Sequence, residues 1–387
     1  MLLVKNRYFC ANINPNIKKN PDLKTIFIVA GDQSGDTHAA KLMHELSQKI
    51  PLVKFIGIGG EAMERAGLRS LVPLSEISVV GFWEVAKKYR YFKRLIAQCE
   101  QIFNVENIDC FIPVDYPGFN LRLAGIAKKN NIPVYYYIAP QLWAWGASRA
   151  KKLAAVIDKL LVVFPFEVEF FRKFGIETEF VGHPLLDNEM FSQSSERKKR
   201  IALLPGSRLQ EVKKHIPIMR ETVTIIEKEL PEYSFGIATS PLIKKAVYKK
   251  MIPKSWELFS DSRALMKTST LGIVKTGTST LEAALCRLPF VMMYKTSSIS
   301  YFLGKNLVQL PYISLVNILA NKQIVPELIQ QDATPQNIAR NVIDLHNNQA
   351  KQGLMKVEFD EIRTLLGNPG ASKRAADSIL RSLGIEN

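Results

Sequence analysis

Residues 25–36 read TIFIVAGDQSGD. The first six form a continuous apolar run, which is typical of a parallel strand covered on both faces. A glycine-containing turn follows, and then apolar residues recur at helical spacing, namely Ala39, Leu42, Met43 and Leu46. A strand, a glycine turn and a helix in this order predict the first unit of a doubly wound α/β domain.

The same alternation of apolar runs and helical patterns continues along most of the chain. At 387 residues the chain is too long for one core, so we expect two domains. The fold class is therefore α/β, with two Rossmann-like doubly wound domains and a ligand expected in the cleft between them. The other predicted strands are 53–58, 110–114, 134–138, 159–164, 201–204, 233–238, 271–274 and 289–294.

Domain boundaries favour exposed polar segments, and residues 188–200 are polar and strongly charged. We therefore predict a linker there, between domains 25–187 and 201–387. Residues 1–24 form an N-terminal extension to which the sequence assigns no role. They contain no apolar stretch long enough for a signal peptide, and no later run approaches 18 apolar residues, so we expect a chain that does not span a membrane.

The chain carries 52 Lys and Arg against 36 Asp and Glu, a formal net charge of +16. Such a balance suits an anionic partner, either a phosphorylated substrate, an acidic membrane surface or nucleic acid. No recognised nucleic-acid module is present, so we expect no nucleic acid partner. Four well-separated cysteines without C-x-x-C spacing favour a reducing cytoplasm and no disulfide framework.

In the first domain, two strand ends carry candidate chemistry. After the first strand, Ser34 and Gly35 are placed to contact an anion or a sugar hydroxyl, although a helix cap by Ser34 or Asp36 explains the same residues. Asp115 follows the strand 110–114 and is our candidate general base; the alternative is a turn aspartate. Asp36 and His38 are the fallback bases.

Two further motifs lie in the same half of the chain. GIGGEA at 57–62 fits a dinucleotide fingerprint, but it follows the second strand rather than the first, which disfavours NAD or FAD. QLWAWGASR at 141–149 is predicted to be a shaped loop in which Arg149 meets a phosphate. Its tryptophans are equally compatible with a core position.

The second domain has two strand-to-helix turns suited to phosphate. Arg208 follows the turn PGS at 205–207, beside a helix start. The segment KTGTSTLE at 275–282 offers backbone N–H groups and hydroxyls to one anion, and it is not a Walker loop. Its candidate binding residues are Lys275, Gly277, Thr278, Ser279, Thr280 and Glu282, of which Glu282 is expected to accept ribose hydroxyls.

The five histidines show no H-E-x-x-H spacing, and no D-x-D carboxylate pair occurs. We therefore expect no metal and no cofactor. A diphosphate leaving group must then be stabilised by helix N-termini and by Arg or Lys. Residues 78–96 have the pattern of a basic amphipathic helix, with Phe82 and Trp83 near one end, and fit either a membrane interface or an ordinary packing helix.

Taken in order, these motifs resemble those of the lipid-A-disaccharide synthase family. No single motif is unique to that family, but their joint order is highly specific. The motifs are AGDQSGD (30–36), GIGG (57–60), VDYPGFN (114–120), WAW (143–145), GHPLLD (182–187), LLPGSRLQEV (203–212), TGTSTLE (276–282) and SLVNIL (314–319). The sequence departs from the family pattern at Asp32, where Glu is usual, at Gly118, where Asp is frequent, and at Thr276, where Ser is common.

The resemblance implies an inverting GT-B hexosyltransferase of lipid A and lipopolysaccharide biosynthesis. It would join UDP-2,3-diacylglucosamine to 2,3-diacylglucosamine 1-phosphate and release UDP and a β-1,6-linked disaccharide. Asp115 matches the essential aspartate, and Arg208, Glu282 and Asn317 match binding or catalytic positions. The resemblance also implies a peripheral location on the anionic cytosolic face of the inner membrane, and a homodimer is compatible with it.

The alternative is a GT-B enzyme that acts on a soluble UDP-sugar, either a transferase or an epimerase. Such an enzyme needs no apolar contact from residues 78–96. A requirement for acyl chains therefore separates the two functions.

Overall fold

A computed structural model describes residues 22–77, 88–188, 191, 195–296 and 310–385. They form two parallel β-sheets with helices between successive strands, as the alternating pattern predicts. Of the described residues, the first compact unit comprises 22–77, 88–137, 156–158 and 375–385. The second comprises 138–155 and 159–374 within the same limits.

The first sheet has seven strands in the order β3-β2-β1-β4-β5-β6-β7. Its central strands are fully buried, as their unbroken apolar sequences predict. The strands are β1 (Lys24–Ala30), β2 (Val53–Gly59), β3 (Leu68–Pro73), β4 (Cys110–Val114), β5 (Tyr135–Tyr137), β6 (Lys159–Val162) and β7 (Thr178–Phe180). The helices that follow them along the chain are α1 (Gln33–Lys49), α2 (Glu61–Arg65), α3 (Leu74–Ile77), α4 (Tyr89–Val105), α5 (Pro117–Lys129), α6 (Leu142–Trp145), α7 (Ala147–Ala154) and α8 (Pro165–Arg172).

The second sheet has six strands in the order β10-β9-β8-β11-β12-β13. Its strands are β8 (Lys198–Leu204), β9 (Ser234–Ala238), β10 (Glu257–Phe259), β11 (Ser269–Lys275), β12 (Phe290–Tyr294) and β13 (Glu327–Ile329). Its helices are α9 (Leu209–Glu229), α10 (Lys245–Met251), α11 (Ser262–Thr268), α12 (Thr278–Leu285), α13 (Leu315–Ala320), α14 (Pro335–Asn347), α15 (Gln349–Leu365) and α16 (Ala371–Ser382).

The strand β8 and the helix predicted over 78–96 depart most from the sequence predictions. β8 begins at Lys198, inside the predicted linker, because Arg200 is buried and bonds to Glu257 at 2.7 Å. The predicted helix over 78–96 falls partly outside the described residues, which resume at Lys88. The described helix α4 extends to Val105 and packs on α5, with Phe92 buried, so this part of it is a packing helix.

The C-terminal helix α16 returns to the first unit. The ammonium group of Lys49 on α1 pairs with Asp377, and the Tyr135 hydroxyl donates to the carbonyl of Ser382 at 3.3 Å. Within the described part of the chain, no helix has both the length and the apolar character needed to cross a membrane.

Candidate active site

The turn after β1 is organised by Asp32. Its carboxylate accepts a hydrogen bond from the Gly35 backbone N–H at 2.7 Å and so caps α1. The predicted contact residue Ser34 lies 3.2 Å, through its Oγ, from Nε2 of His38, which is buried. The cap of α1 is therefore Asp32, rather than Ser34 or Asp36, the two residues that the alternative interpretation of this turn named; contact of Ser34 and Gly35 with a ligand stays a prediction.

Asp36 is held inside the fold. Its carboxylate accepts hydrogen bonds from the backbone N–H groups of Gly60, Ala62 and Met63 at 2.7 to 3.1 Å. This contact caps α2 and ties the GIGG motif to α1. The arrangement favours a structural role for Asp36, whereas its role as a fallback base stays a prediction.

Asp115 stands at the carboxyl end of β4 in an unusual backbone conformation. Asp115 and Tyr116 both have positive φ, at 46° and 51°, and left-handed geometry costs a residue with a side chain about 1–2 kcal/mol. The Asp115 carbonyl accepts hydrogen bonds from Tyr136 Oη at 2.6 Å and from Asn120 Nδ2 at 2.7 Å. These bonds offset the strain and fix the residue at the strand end.

The electrostatic surroundings of Asp115 suit a general base. Burial and the nearby charge of Asp32 raise the pKa of Asp115 to about 7, while a hydrogen bond from the Tyr116 backbone acts in the opposite direction. A base works best when its pKa lies near the operating pH. Asp32 therefore contributes to the site through its charge as well as through its cap.

Arg149 lies exposed in the first turn of α7, which leaves it accessible to a ligand. The neighbouring Trp143 is anchored in the second unit, where its indole N–H donates to Glu167 at 2.9 Å and its ring meets Phe166 edge-on. Trp143 is thus a packing residue, as one of the two sequence interpretations has it.

The Gly-Ser-Arg turn after β8 is organised by Glu211, a residue that sequence reasoning left out of the site. Its carboxylate accepts from the backbone N–H of Ser207 at 3.2 Å and pairs with Lys275 at 2.9 Å and with Arg208 at 3.4 Å. Burial alone would raise the pKa of Glu211, but Lys275 and Arg208 together lower it. Glu211 also accepts from the Arg208 backbone N–H at 3.4 Å, and a Glu three residues after the start of a helix is the signal that identifies it.

The turn between β11 and α12 joins a strand to a helix N-terminus, and its contact with an anion stays a prediction. Gly277 adopts a φ of 120°, a conformation that favours glycine, and stands at the N-terminal end of α12. Thr280 is buried and donates to the Gly277 carbonyl at 2.8 Å, whereas Thr278 is exposed and Ser279 half-buried. The outward hydroxyls and the helix N-terminus are available to a phosphate.

Glu282 is paired inside the second unit. Arg263 donates through Nε to its carboxylate at 3.0 Å. Burial raises the pKa of Glu282 even though Arg263 opposes the shift. The sequence expectation of a carboxylate that meets ribose stays a prediction, and the structure adds Arg263 as the group that holds it.

Asn317 is fully buried and uses its amide within the protein. Its Nδ2 donates to the Val325 carbonyl and to Glu327, and its Oδ1 accepts from the backbone of Ile324 and Val325, all at 2.8 to 2.9 Å. Glu327 in turn accepts from the Ser314 N–H at 2.9 Å. Asn317 therefore holds the SLVNIL segment in place, and this favours a positioning role over direct contact with a ligand.

The motif GHPLLD is also structural. Asp187 accepts hydrogen bonds from the backbone N–H groups of Gly370, Ala371 and Ser372 and so caps α16.

Among the residues that the structure describes, no three His, Cys, Asp or Glu side chains form a group that could hold a metal ion. Independence of metal stays a prediction.

Solved structures of other proteins share this arrangement of two parallel sheets. A UDP-GlcNAc 2-epimerase from Neisseria meningitidis, solved with UDP-GlcNAc, is 12% identical with a TM-score of 0.59 and covers 94% of this chain and 100% of its own. CalG4, the calicheamicin glycosyltransferase, is 13% identical with a TM-score of 0.62 and covers 94% and 98%. The fold is that of the GT-B glycosyltransferases.

Sequence comparison then gives the family. A family model described as lipid-A-disaccharide synthetase matches residues 26–380. The lipid-A-disaccharide synthase of Syntrophus aciditrophicus is 35% identical over 91% of this chain and 96% of its own, and that of Nitrosococcus oceani is 37% identical over 94% and 97%. The chain belongs to the lipid-A-disaccharide synthase family, as its motifs predict.

Proposed function

We propose that this protein transfers a diacylglucosamine unit from UDP-2,3-diacylglucosamine to 2,3-diacylglucosamine 1-phosphate, with inversion, and releases UDP. Membership of the family makes it an enzyme of lipid A disaccharide synthesis. The observation that carries the mechanism is Asp115, a carboxylate whose pKa is raised to about 7 at the end of a buried strand. On this proposal its carboxylate accepts the proton of the acceptor hydroxyl as that oxygen attacks the anomeric carbon.

The donor diphosphate is assigned to the second unit. Arg208, Lys275 and the N-terminus of α12 supply positive charge and N–H donors for the UDP that leaves. Glu211 holds Arg208 and Lys275 together and leaves one net positive charge among the three. On this proposal no metal is needed to stabilise the leaving group.

The competing function is a GT-B enzyme that acts on a soluble UDP-sugar. Fold alone does not separate the two, since epimerases and transferases share this architecture. The experiment compares turnover of the diacylated donor and acceptor with that of the same sugars without acyl chains. We expect condensation only with the acylated pair, and turnover of UDP-GlcNAc by itself would favour the alternative.

We also propose that the protein works at the anionic cytosolic face of the inner membrane, where both acylated substrates are anchored. The net charge of +16 supports attraction to such a surface. We further propose that the domains comprise residues 25–187 and 201–387 and that the protein forms a homodimer.

For the membrane contact, we expect replacement of both Phe82 and Trp83 by Ser to reduce binding to anionic vesicles while thermal stability stays near wild type. Both residues lie outside the described part of the chain, and interfacial aromatic side chains are not core residues. Vesicle co-sedimentation and a thermal melt measure the two effects. The control is Leu242→Ser, which changes an apolar side chain that is 60% exposed in the second unit. A large loss of thermal stability in the Phe82/Trp83 variant would show that these residues pack in the core instead.

A further inference from the structure

Tyr116 contacts three parts of the first unit around Asp115. Its ring lies against Gly31 so closely that a Cβ built at Gly31 would stand 2.0 Å from the ring carbon Cγ. Its hydroxyl donates to the carbonyl of Ile77 at 2.8 Å. It directly follows Asp115, and its backbone N–H lowers the pKa of that carboxyl. One side chain therefore links the turn after β1, the end of α3 and the candidate base.

The backbone conformation explains why such anchoring matters. Tyr116 follows Asp115 in the same left-handed region, with φ 51° and ψ 56°, which a bulky residue adopts only when its surroundings impose it. Asp115 accepts two hydrogen bonds at its carbonyl and donates its N–H to the Tyr137 carbonyl, and these bonds fix the first residue of the pair. The contacts of its own ring and hydroxyl hold Tyr116, the second residue of the pair.

We propose that Tyr116 is a positioning residue, whose ring on Gly31 and hydroxyl on the Ile77 carbonyl hold the 115–116 peptide and thereby fix the orientation of the Asp115 carboxylate. The inference rests on the proposed role of Asp115 and adds to it the residue that holds the base in place. It also explains why position 31 is glycine, since any side chain there would displace the ring.

The test compares Tyr116→Ala with Tyr116→Phe, using steady-state kinetics across pH with both acylated substrates. For Tyr116→Ala we expect kcat to fall about tenfold or more, with KM for donor and acceptor within about twofold of wild type. The acid limb of kcat/KM should move to higher pH, because the backbone N–H of residue 116 lowers the pKa of Asp115 and displacement of the unanchored peptide lets that pKa rise. Tyr116→Phe keeps the ring contact and should lose only a few-fold in kcat.

Tyr233→Phe is the matched control, since it also removes one hydrogen-bonded tyrosine hydroxyl, the one 3.0 Å from Nδ1 of His346 in the second unit. It should leave the rate and the pH profile unchanged. Gly31→Ala in the wild-type background should resemble Tyr116→Ala, and in the Tyr116→Ala background it should cost little more, because the ring it would meet is gone.

The proposal is overturned if Tyr116→Ala keeps kcat within about twofold of wild type, or if its acid limb stays in place or moves to lower pH. Should Tyr116→Ala fail to fold, the same readings on Gly31→Ala decide the matter. Asp115→Asn separates this inference from the proposed function. If that variant remains active, the role of Asp115 fails; if it is inactive while Tyr116→Ala behaves as wild type, only the positioning role fails.

Discussion

Replacement of Asp115 by Asn is expected to lower kcat by about 10² to 10⁴-fold, the usual contribution of a general base. Asparagine keeps the shape of the side chain but has no basicity, and the acceptor hydroxyl is a poor nucleophile until its proton is removed. UDP affinity should stay near wild type, because the residues assigned to UDP lie in the second unit. Single-turnover rates and calorimetric titration with UDP measure the two quantities.

The dependence of the rate on pH tests the role of Asp115 independently. In the wild type, activity should fall as pH drops through about 7, because the carboxylate of Asp115 is then protonated and no longer accepts a proton. Asp115→Asn should abolish this limb.

Asp109→Asn is the matched control for the base. Asp109 stands at the opposite end of the same strand, where it accepts from the Thr25 N–H at 2.7 Å and pairs with Lys24. Its replacement should affect stability more than rate. If Asp115→Asn kept more than about a tenth of the activity, the base would have to be sought at Asp36 or His38, whose variants would then show the large loss.

Replacement of Arg208 by Ala is expected to weaken UDP binding by roughly tenfold or more. A hydrogen bond to a charged group contributes about 1.5–3 kcal/mol, and the lower part of that range applies because the Arg208 side chain is 44% exposed. Loss of Arg208 also leaves Glu211 with one cation fewer near the diphosphate. Calorimetric titration with UDP provides the measurement.

Arg340→Ala removes an exposed arginine on α14 that donates to Asn337 at 3.1 Å, and it controls for the change in net charge. UDP affinity should be unchanged in this variant. An Arg208→Ala protein that binds UDP as tightly as wild type would remove Arg208 from the donor site.

The sequence predicted the central strands well and the edge strands poorly. Every strand inside the two sheets was predicted, because burial on both faces requires a continuous apolar run. The four strands that were missed, β3, β7, β10 and β13, are the edges of the two sheets. Each is short or only partly buried and carries a charged residue, so its sequence lacks the apolar signal.

The candidate site was also predicted only in part, since the sequence located its residues but not the partners of those residues. The positions of Asp115, Arg208 and the 275–282 turn at strand ends follow from local sequence, since each motif comes directly after an apolar run. The partners of these residues are far away along the chain, as in the pairs Arg263 with Glu282 and Glu211 with Lys275. The left-handed conformation of Asp115 was equally hidden, because it depends on Tyr136 and Asn120 rather than on a local glycine.

We propose above that the protein condenses two acylated sugars into a disaccharide. The most direct measurement incubates the full chain with UDP-2,3-diacylglucosamine and 2,3-diacylglucosamine 1-phosphate, with and without EDTA, and follows the products by mass spectrometry. We expect one equivalent of UDP and one of the disaccharide 1-phosphate in both samples. Absence of the disaccharide from both samples would contradict the proposed reaction. Formation of the disaccharide only when magnesium is restored after EDTA would contradict its independence of metal.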